Sequence, residues 1–228
     1  FGEVLAVPVD NAPGQGTRVL LGLERPGDLH PSVRRFYTAA SGGYLLRRQP
    51  ARCPDSLSPA GLGAVAPALT APTATIQCDH ESIVALADSV AGSLSTVCAV
   101  VDALNRFVYT RIRKRNVATF SSAVETLKAG YGDCGEHAVL LAALLRARGV
   151  PARVLLGLVY LREKRAYLGH AWGGMETPAG WLYADPARGR FPVTTGLVPL
   201  VVDDDGTGAM HVLKLIGRTR IDHSTDGE

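Results

Sequence analysis

No CxxC pair occurs among the four cysteines of this chain (Cys53, Cys78, Cys98, Cys134), so neither a zinc array nor a dense disulfide framework is available to it. Long apolar runs are missing too. The longest, Ala138–Leu145 and Val154–Leu161, fall well short of a bilayer span and soon meet charged or turn residues. Charge of one sign does not dominate: the formal net charge of +3 is spread out and does not call for a nucleic-acid partner. There is no internal repeat or heptad array. What remains, at 46% hydrophobic and 20% charged over 228 residues, is an ordinary soluble globular composition with enough chain to bury a real core. No cleavable signal is visible. The chain begins at Phe1 rather than Met, which reads as a processed or truncated form with any targeting segment out of view. An exported or periplasmic location is slightly favoured over a cytoplasmic one.

Two regions differ in texture. Residues 1–74 carry strand-like stretches at Val4–Val9, Arg18–Leu23 and Tyr44–Arg48, then a Pro/Ala/Gly/Ser-rich stretch from Pro50 to Pro72 that reads as linker or irregular loop. Residues 75–228 read as a separate core. Asp79 is placed to cap a helix through about Ala91, and a second helix covers roughly Leu94–Arg106. Ser121 and Ser122 offer caps for a short helix through Lys128. After residue 150, runs at Arg153–Leu161, Leu168–Met175 and Trp181–Ala184 suggest an antiparallel meander. A further strand pair, Leu197–Val202 and Met210–Ile216, flanks a charged turn at Asp203–Gly206. That turn could hold a hard cation, but it lacks the ligand spacing of a calcium loop. The pattern is α+β, with helices packed on an antiparallel sheet and a β-rich N-terminal extension.

The chemistry concentrates at Tyr131–His137. Gly132 and Asp133 supply a turn and an N-cap, and Ala138, Leu141, Leu144 and Leu145 trace a buried helical stripe that Gly149 ends. Cys134 therefore falls in the first helical turn, where unpaired amides and the helix dipole favour a thiolate and can hold an oxyanion. A lone buried cysteine is usually only a small hydrophobe, so partners decide the matter. His170 lies in a strand 36 positions on (170 − 134), and Asp185 closes the next strand 15 positions later (185 − 170). Adjacent antiparallel strands can set a His and an Asp side by side, facing the sulfur: nucleophile, base and orienting carboxylate. A strand histidine is more often structural, and Asp185 before Pro186 could be a turn former. With Cys134 upstream, the catalytic reading is favoured for both. His137, three residues past Cys134, reads as a packing or supporting residue.

These residues resemble a family. Gly132-Asp133-Cys134, Arg146-Ala147-Arg148-Gly149-Val150-Pro151-Ala152-Arg153, His170-Ala171-Trp172 and Asp185-Pro186, preceded by Ser122–Leu127, are similar to the signature of the transglutaminase-like superfamily over roughly residues 76–192. The resemblance implies a papain-like α+β core, a triad of Cys134, His170 and Asp185, and, among bacterial members, peptidase or amidase activity more often than cross-linking. One departure stands out. Many members follow the His-Ala-Trp motif with a hydrophobic residue and a glutamate. Here Gly173-Gly174 stand instead, read as a changed substrate wall or strand bulge, and the nearest carboxylate is Glu176.

Three functions are compatible with this sequence. Water resolving a Cys134 thioester makes a peptidase or amidase; a lysine amine resolving it makes a transglutaminase. A non-catalytic module binding peptide or cell-wall material is the third. Hydrolysis is favoured because water needs no dedicated acceptor site. The expected partner is a peptide or protein substrate, with no metal or organic cofactor required. Tyr109 and Tyr131 are candidate neighbours of the oxyanion site, and Trp172 a cleft or core wall. The basic run Arg111–Arg115 is ordinarily a solvated loop, its alternative being a site for an acidic partner. If Cys134 is a free thiol, Cys53–Cys78 is the expected bridge, both lying in the loop-rich region, with Cys98 in a helical core position.

Overall fold

A computed structural model describes residues 6–10, 12–13, 17–47, 52–54, 56–117, 121–178, 180–215 and 217–224. The strands are β1 (Val7–Pro8), β2 (Arg18–Leu23), β3 (Tyr37–Ala40), β4 (Gly43–Leu46), β5 (Arg113–Lys114), β6 (Tyr131–Gly132), β7 (Ala152–Leu161), β8 (Ala166–Thr177), β9 (Gly180–Ala184), β10 (Leu197–Val202) and β11 (Thr219–Ser224). The helices are α1 (Pro59–Val65), α2 (Glu81–Ala91), α3 (Val97–Arg111), α4 (Ala123–Ala129), α5 (Cys134–Ala147) and α6 (Gly208–Lys214). The class is α+β.

Helix α5 is the axle of the molecule. Ala138 and every residue from Leu140 to Leu145 are completely buried, so the helix is apolar on all sides rather than along one stripe. Helices α2, α3 and α4 pack on it, and strands β7 and β8 cover another side. Burying each leucine stabilises the fold by about 1.5–3 kcal/mol. Beyond the C-terminus of α5, Gly149 takes the left-handed conformation (φ +72°) and its N–H donates to the Arg146 carbonyl, as the sequence pattern requires. Buried Arg146 then pins the next strand by donating to the Ala152 carbonyl at 2.8 Å.

There are two larger antiparallel sheets, the first of them packed on α5. In the first, β8 pairs with β7 over ten residue pairs from Ala152↔Met175 to Leu161↔Ala166, and β7 pairs with β10. On its other edge β8 meets β1 at Ala166–Tyr167 and β9 at Gly173–Thr177, and His170 lies between those two pairings. The second sheet runs β11-β2-β4-β3. It joins the tail of the chain to residues 18–46, through a strand that the sequence pattern did not suggest.

Several expectations need correction. Cys53 pairs with Cys98, not Cys78. The Leu57 carbonyl accepts from the Val97 N–H, which draws the Cys53 loop onto the first turn of α3, where Cys98 sits. Cys78 is a buried free thiol. Helix α2 is capped by His80, whose Nδ1 accepts from the Ser82 N–H, rather than by Asp79. Helix α3 begins after the Thr96 cap and runs to Arg111, beyond the expected Arg106. The irregular stretch from Pro50 to Pro72 contains α1, capped by Ser58. The expected strand Met210–Ile216 is helix α6: Ala209, Val212 and Leu215 are buried at three-residue spacing while Met210 is exposed, a helical period mistaken for an alternating one. Of the expected strand Val4–Val9, residues 6–9 are described and Val7–Pro8 is strand; Val4, Leu5, Arg48 and Ile216 lie outside the described residues.

Gly173-Gly174 form no bulge, since pairing with β7 and β9 is continuous through them. They mark close approach instead. A Cβ at Gly174 would lie 2.2 Å from Leu155 Cδ1 and 3.1 Å from the Trp181 ring, and one at Gly173 would lie 3.2 Å from Leu141 of α5. Glu176 turns elsewhere, to Arg35 at 2.9 Å.

Candidate active site

The loop before Cys134 is built as a double cap. The Asp133 carboxylate accepts from the Gly135 N–H at 2.7 Å, while Glu136 returns to accept from the Asp133 N–H at 3.0 Å, a capping box on the first turn of α5. Glu136 also accepts from the Ser121 N–H at 3.1 Å, tying the cysteine loop to the start of α4. Only glycine fits at 132, because a Cβ there would lie 2.4 Å from that of Glu136. Burial, followed by the neighbouring Asp133 carboxyl, pushes the Glu136 pKa up to about 7 against the pull of the backbone N–H of Ser121. Glu136 escaped the sequence reading, although Asp133-x-x-Glu136 is the spacing of a capping box. His137 is fully buried, with Nδ1 against the Asp133 carbonyl and Nε2 against that of Ile112. With both nitrogens engaged, it acts as a brace between the α3 terminus and the cysteine loop.

Across the cleft, His170 and Asp185 meet. His170 Nε2 lies 2.9 Å from Asp185 Oδ2, in a pair whose carboxylate has no exposed surface and whose imidazole is 9% exposed. The Asp185 carboxylate is itself held: Oδ1 accepts from the Arg188 N–H at 3.1 Å, and Arg188 Nη1 stands 3.9 Å from Oδ2. Reciprocal backbone bonds between Asp185 and Arg190 close the turn that carries both residues. Nε2 being committed to Asp185, Nδ1 is the ring nitrogen left free of that carboxylate, and Cys134 lines the same cleft as the imidazole. Burial is the largest influence on His170 and opposes its charge. The bonds to Asp185 and Cys134, with the charges behind them, outweigh it and lift the pKa to about 9. The ring is therefore cationic at neutral pH.

Cys134 and His170 line one open cleft of about 550 Å³. Val159, Leu161 and Leu168 form an apolar wall; Lys114, Arg115 and Arg188 supply cations. Trp172 stacks on His170 (ring centroids 6.3 Å apart, 21° between planes) and is itself completely buried, so it backs the imidazole rather than facing substrate. Tyr109 and Tyr131 reach the site through cations. Lys114 Nζ lies 4.7 Å from the Tyr109 ring centroid, and the Arg115 guanidinium 4.8 Å from that of Tyr131. The carboxylates of Asp203 and Asp205 are engaged by nearby backbone amides, and Asp204 binds Arg153 and Arg146, at 2.8 and 3.0 Å.

Residues 84–186 match the family described as the transglutaminase-like superfamily. Among solved structures, a candidate cysteine protease from Cytophaga hutchinsonii is similar over 98% of this chain and 82% of its own, at 18% identity and a TM-score of 0.56. LapG from Legionella pneumophila matches over 72% of this chain and 97% of its own (17% identity, TM-score 0.46). The periplasmic domain of TgpA from Pseudomonas aeruginosa matches over 75% and 66% (22% identity, TM-score 0.43). At these identities the first likeness speaks for the fold alone. No curated protein matches the chain in sequence.

Proposed function

Because residues 84–186 match the transglutaminase-like superfamily, we propose that this chain is a cysteine peptidase or amidase working through Cys134, His170 and Asp185. One observation carries this reading: the buried His170–Asp185 pair at 2.9 Å shares one cleft with a half-buried free cysteine in the first turn of a helix. His170 holds the positive charge and Cys134 reacts as the thiolate. The sulfur attacks an amide carbonyl, and the tetrahedral oxyanion is met by first-turn amides, of which the Cys134 N–H is the nearest candidate. Imidazolium passes its proton to the leaving amine, the C–N bond breaks and a thioester remains. Water, deprotonated by His170, then cleaves the thioester, releasing a carboxylic acid and restoring the pair.

In this reading residues 75–228 hold every reacting group, and residues 1–74 contribute the second sheet, which β11 of the tail joins. The Cys53–Cys98 disulfide is what supports an oxidising, exported location. Among the described residues no helix is long and apolar enough to cross a membrane.

The test is product analysis by mass spectrometry on a peptide library containing glutamine and a labelled primary amine, with Cys134→Ala as blank. Hydrolysed amides that depend on Cys134 support the proposal. Amine incorporation exceeding hydrolysis would assign the protein to the cross-linkers, and no Cys134-dependent product would leave the non-catalytic reading.

A further inference from the structure

The basic run 111–115 is not a free solvated loop. Its centre is strand β5, which pairs in parallel with β6, Arg113 opposite Tyr131 and Lys114 opposite Gly132. The Arg113 N–H donates to the Gly130 carbonyl at 3.0 Å and the Arg115 N–H to that of Gly132 at 2.9 Å. Lys114 and Arg115 are thereby fixed to the same short segment that presents Cys134. Their side chains are exposed, line the cleft and rest on aromatic rings, and neither makes an ion pair among the described residues. Arg188 adds a third cation from the far side, although part of its charge is answered by Asp185. The one acidic side chain in the lining, Asp133, is occupied by the Gly135 N–H. The same cleft is lined by apolar Val159, Leu161 and Leu168, a low-dielectric surface that strengthens the field of these cations.

We propose that Lys114 and Arg115 are specificity residues that select an acyl donor bearing a carboxylate close to the scissile amide. The proposal rests on the catalytic reading above and deepens it: the substrate is an acidic peptide, with an apolar group beside the carboxylate to meet the apolar wall. A side-chain carboxylate (Asp or Glu) and the carboxylate of a chain end offer the same chemistry. Tyr109 and Tyr131 serve this site as supports that hold the two cations at the lip.

A pair of alkylating agents of equal size separates this claim from the catalytic one. Iodoacetate and iodoacetamide react with the same sulfur but differ in charge, and neither needs turnover. Second-order rate constants at Cys134 are measured with both, for the wild type and for the Lys114→Gln/Arg115→Gln double variant. The attraction of iodoacetate to His170 is common to both proteins and cancels in the comparison. The iodoacetate-to-iodoacetamide ratio is expected to fall about threefold to tenfold in the double variant, the effect of one or two screened charge contacts, with the iodoacetamide rate within about twofold of wild type. An unchanged ratio overturns the proposal. A sluggish Cys134 would count against the catalytic reading, yet its ratio would still decide this one. Should the double variant not fold, the single variants carry the same comparison. Paired peptides then identify the source. A higher kcat/KM for Glu over Gln beside the scissile bond supports a side-chain carboxylate; a higher value for a free over an amidated C-terminus supports a chain end. Equality in both pairs counts against carboxylate selection.

Discussion

Replacing Asp185 by Asn removes one negative charge from a fully buried position while keeping shape and an acceptor for the Arg188 N–H. The charged form of His170 depends on that carboxylate. A rise from the ordinary 6.5 to about 9 is worth about 3 kcal/mol in favour of imidazolium at 1.36 kcal/mol per pH unit, won against a burial penalty that acts alone once its partners are gone. In Asp185→Asn the His170 pKa should therefore fall well below its wild-type value, and the imidazolium share near neutrality should shrink. Hydrolysis should drop by about 10²–10⁴ in kcat/KM, the usual scale for a disabled acid–base group. Stability carries the same signature. A histidine whose pKa is raised by folding contributes fully below about pH 6.5 and loses that contribution as pH climbs through about 9. Urea unfolding of the wild type should thus weaken by up to about 3 kcal/mol between those limits, and the variant's profile should be flatter. Nitrogen-15 histidine spectra recorded across the titration read the pKa directly. A His170 that titrates at the same pH in both proteins would refute the reasoning.

Other consequences are quicker to check. Peptide mapping without reductant should find Cys53 joined to Cys98, with Cys78 and Cys134 as the two alkylatable thiols after denaturation. Reducing that bridge frees a 45-residue separation and should lower unfolding stability by about 2–4 kcal/mol in urea melts; a loss under about 1 kcal/mol would contradict a stabilising role for the bridge. Gly174→Ala should destabilise by about 1–3 kcal/mol, because the new methyl collides with fully buried Leu155. Gly173→Ala meets Leu141 less closely and should cost less, an order that thermal melts can reverse or uphold.

Much of this architecture could be read from residue patterns, and the misses share a cause. The boundaries of α5 follow from Asp133, Gly149 and an apolar run, all local signals, and β7 to β9 follow from strand-length runs between turns. Local signals end where distant segments decide. Cys98 looks like a core helix residue until the Leu57 carbonyl brings the Cys53 loop to it. The strand β11 is unremarkable in sequence, and its existence depends on β2, some 200 residues away in the chain by the register Thr219↔Leu23. In the site, His170 and Asp185 were legible from their one-strand spacing. Arg188 was not, and the basic run 111–115 showed as a candidate for an acidic partner but not as a strand beside Cys134, because that depends on which segment it folds against.

Competitive alkylation tests the central claim most directly. Cys134 and Cys78 are both free thiols, but burial pushes the Cys78 pKa up, whereas Cys134 opens onto the cleft against a cationic imidazole. Folded protein treated with limiting iodoacetamide at mildly acidic pH, then digested and weighed, should carry the label on Cys134 almost alone. Equal labelling of the two cysteines, or a preference for Cys78, would contradict the assignment of Cys134 as the nucleophile.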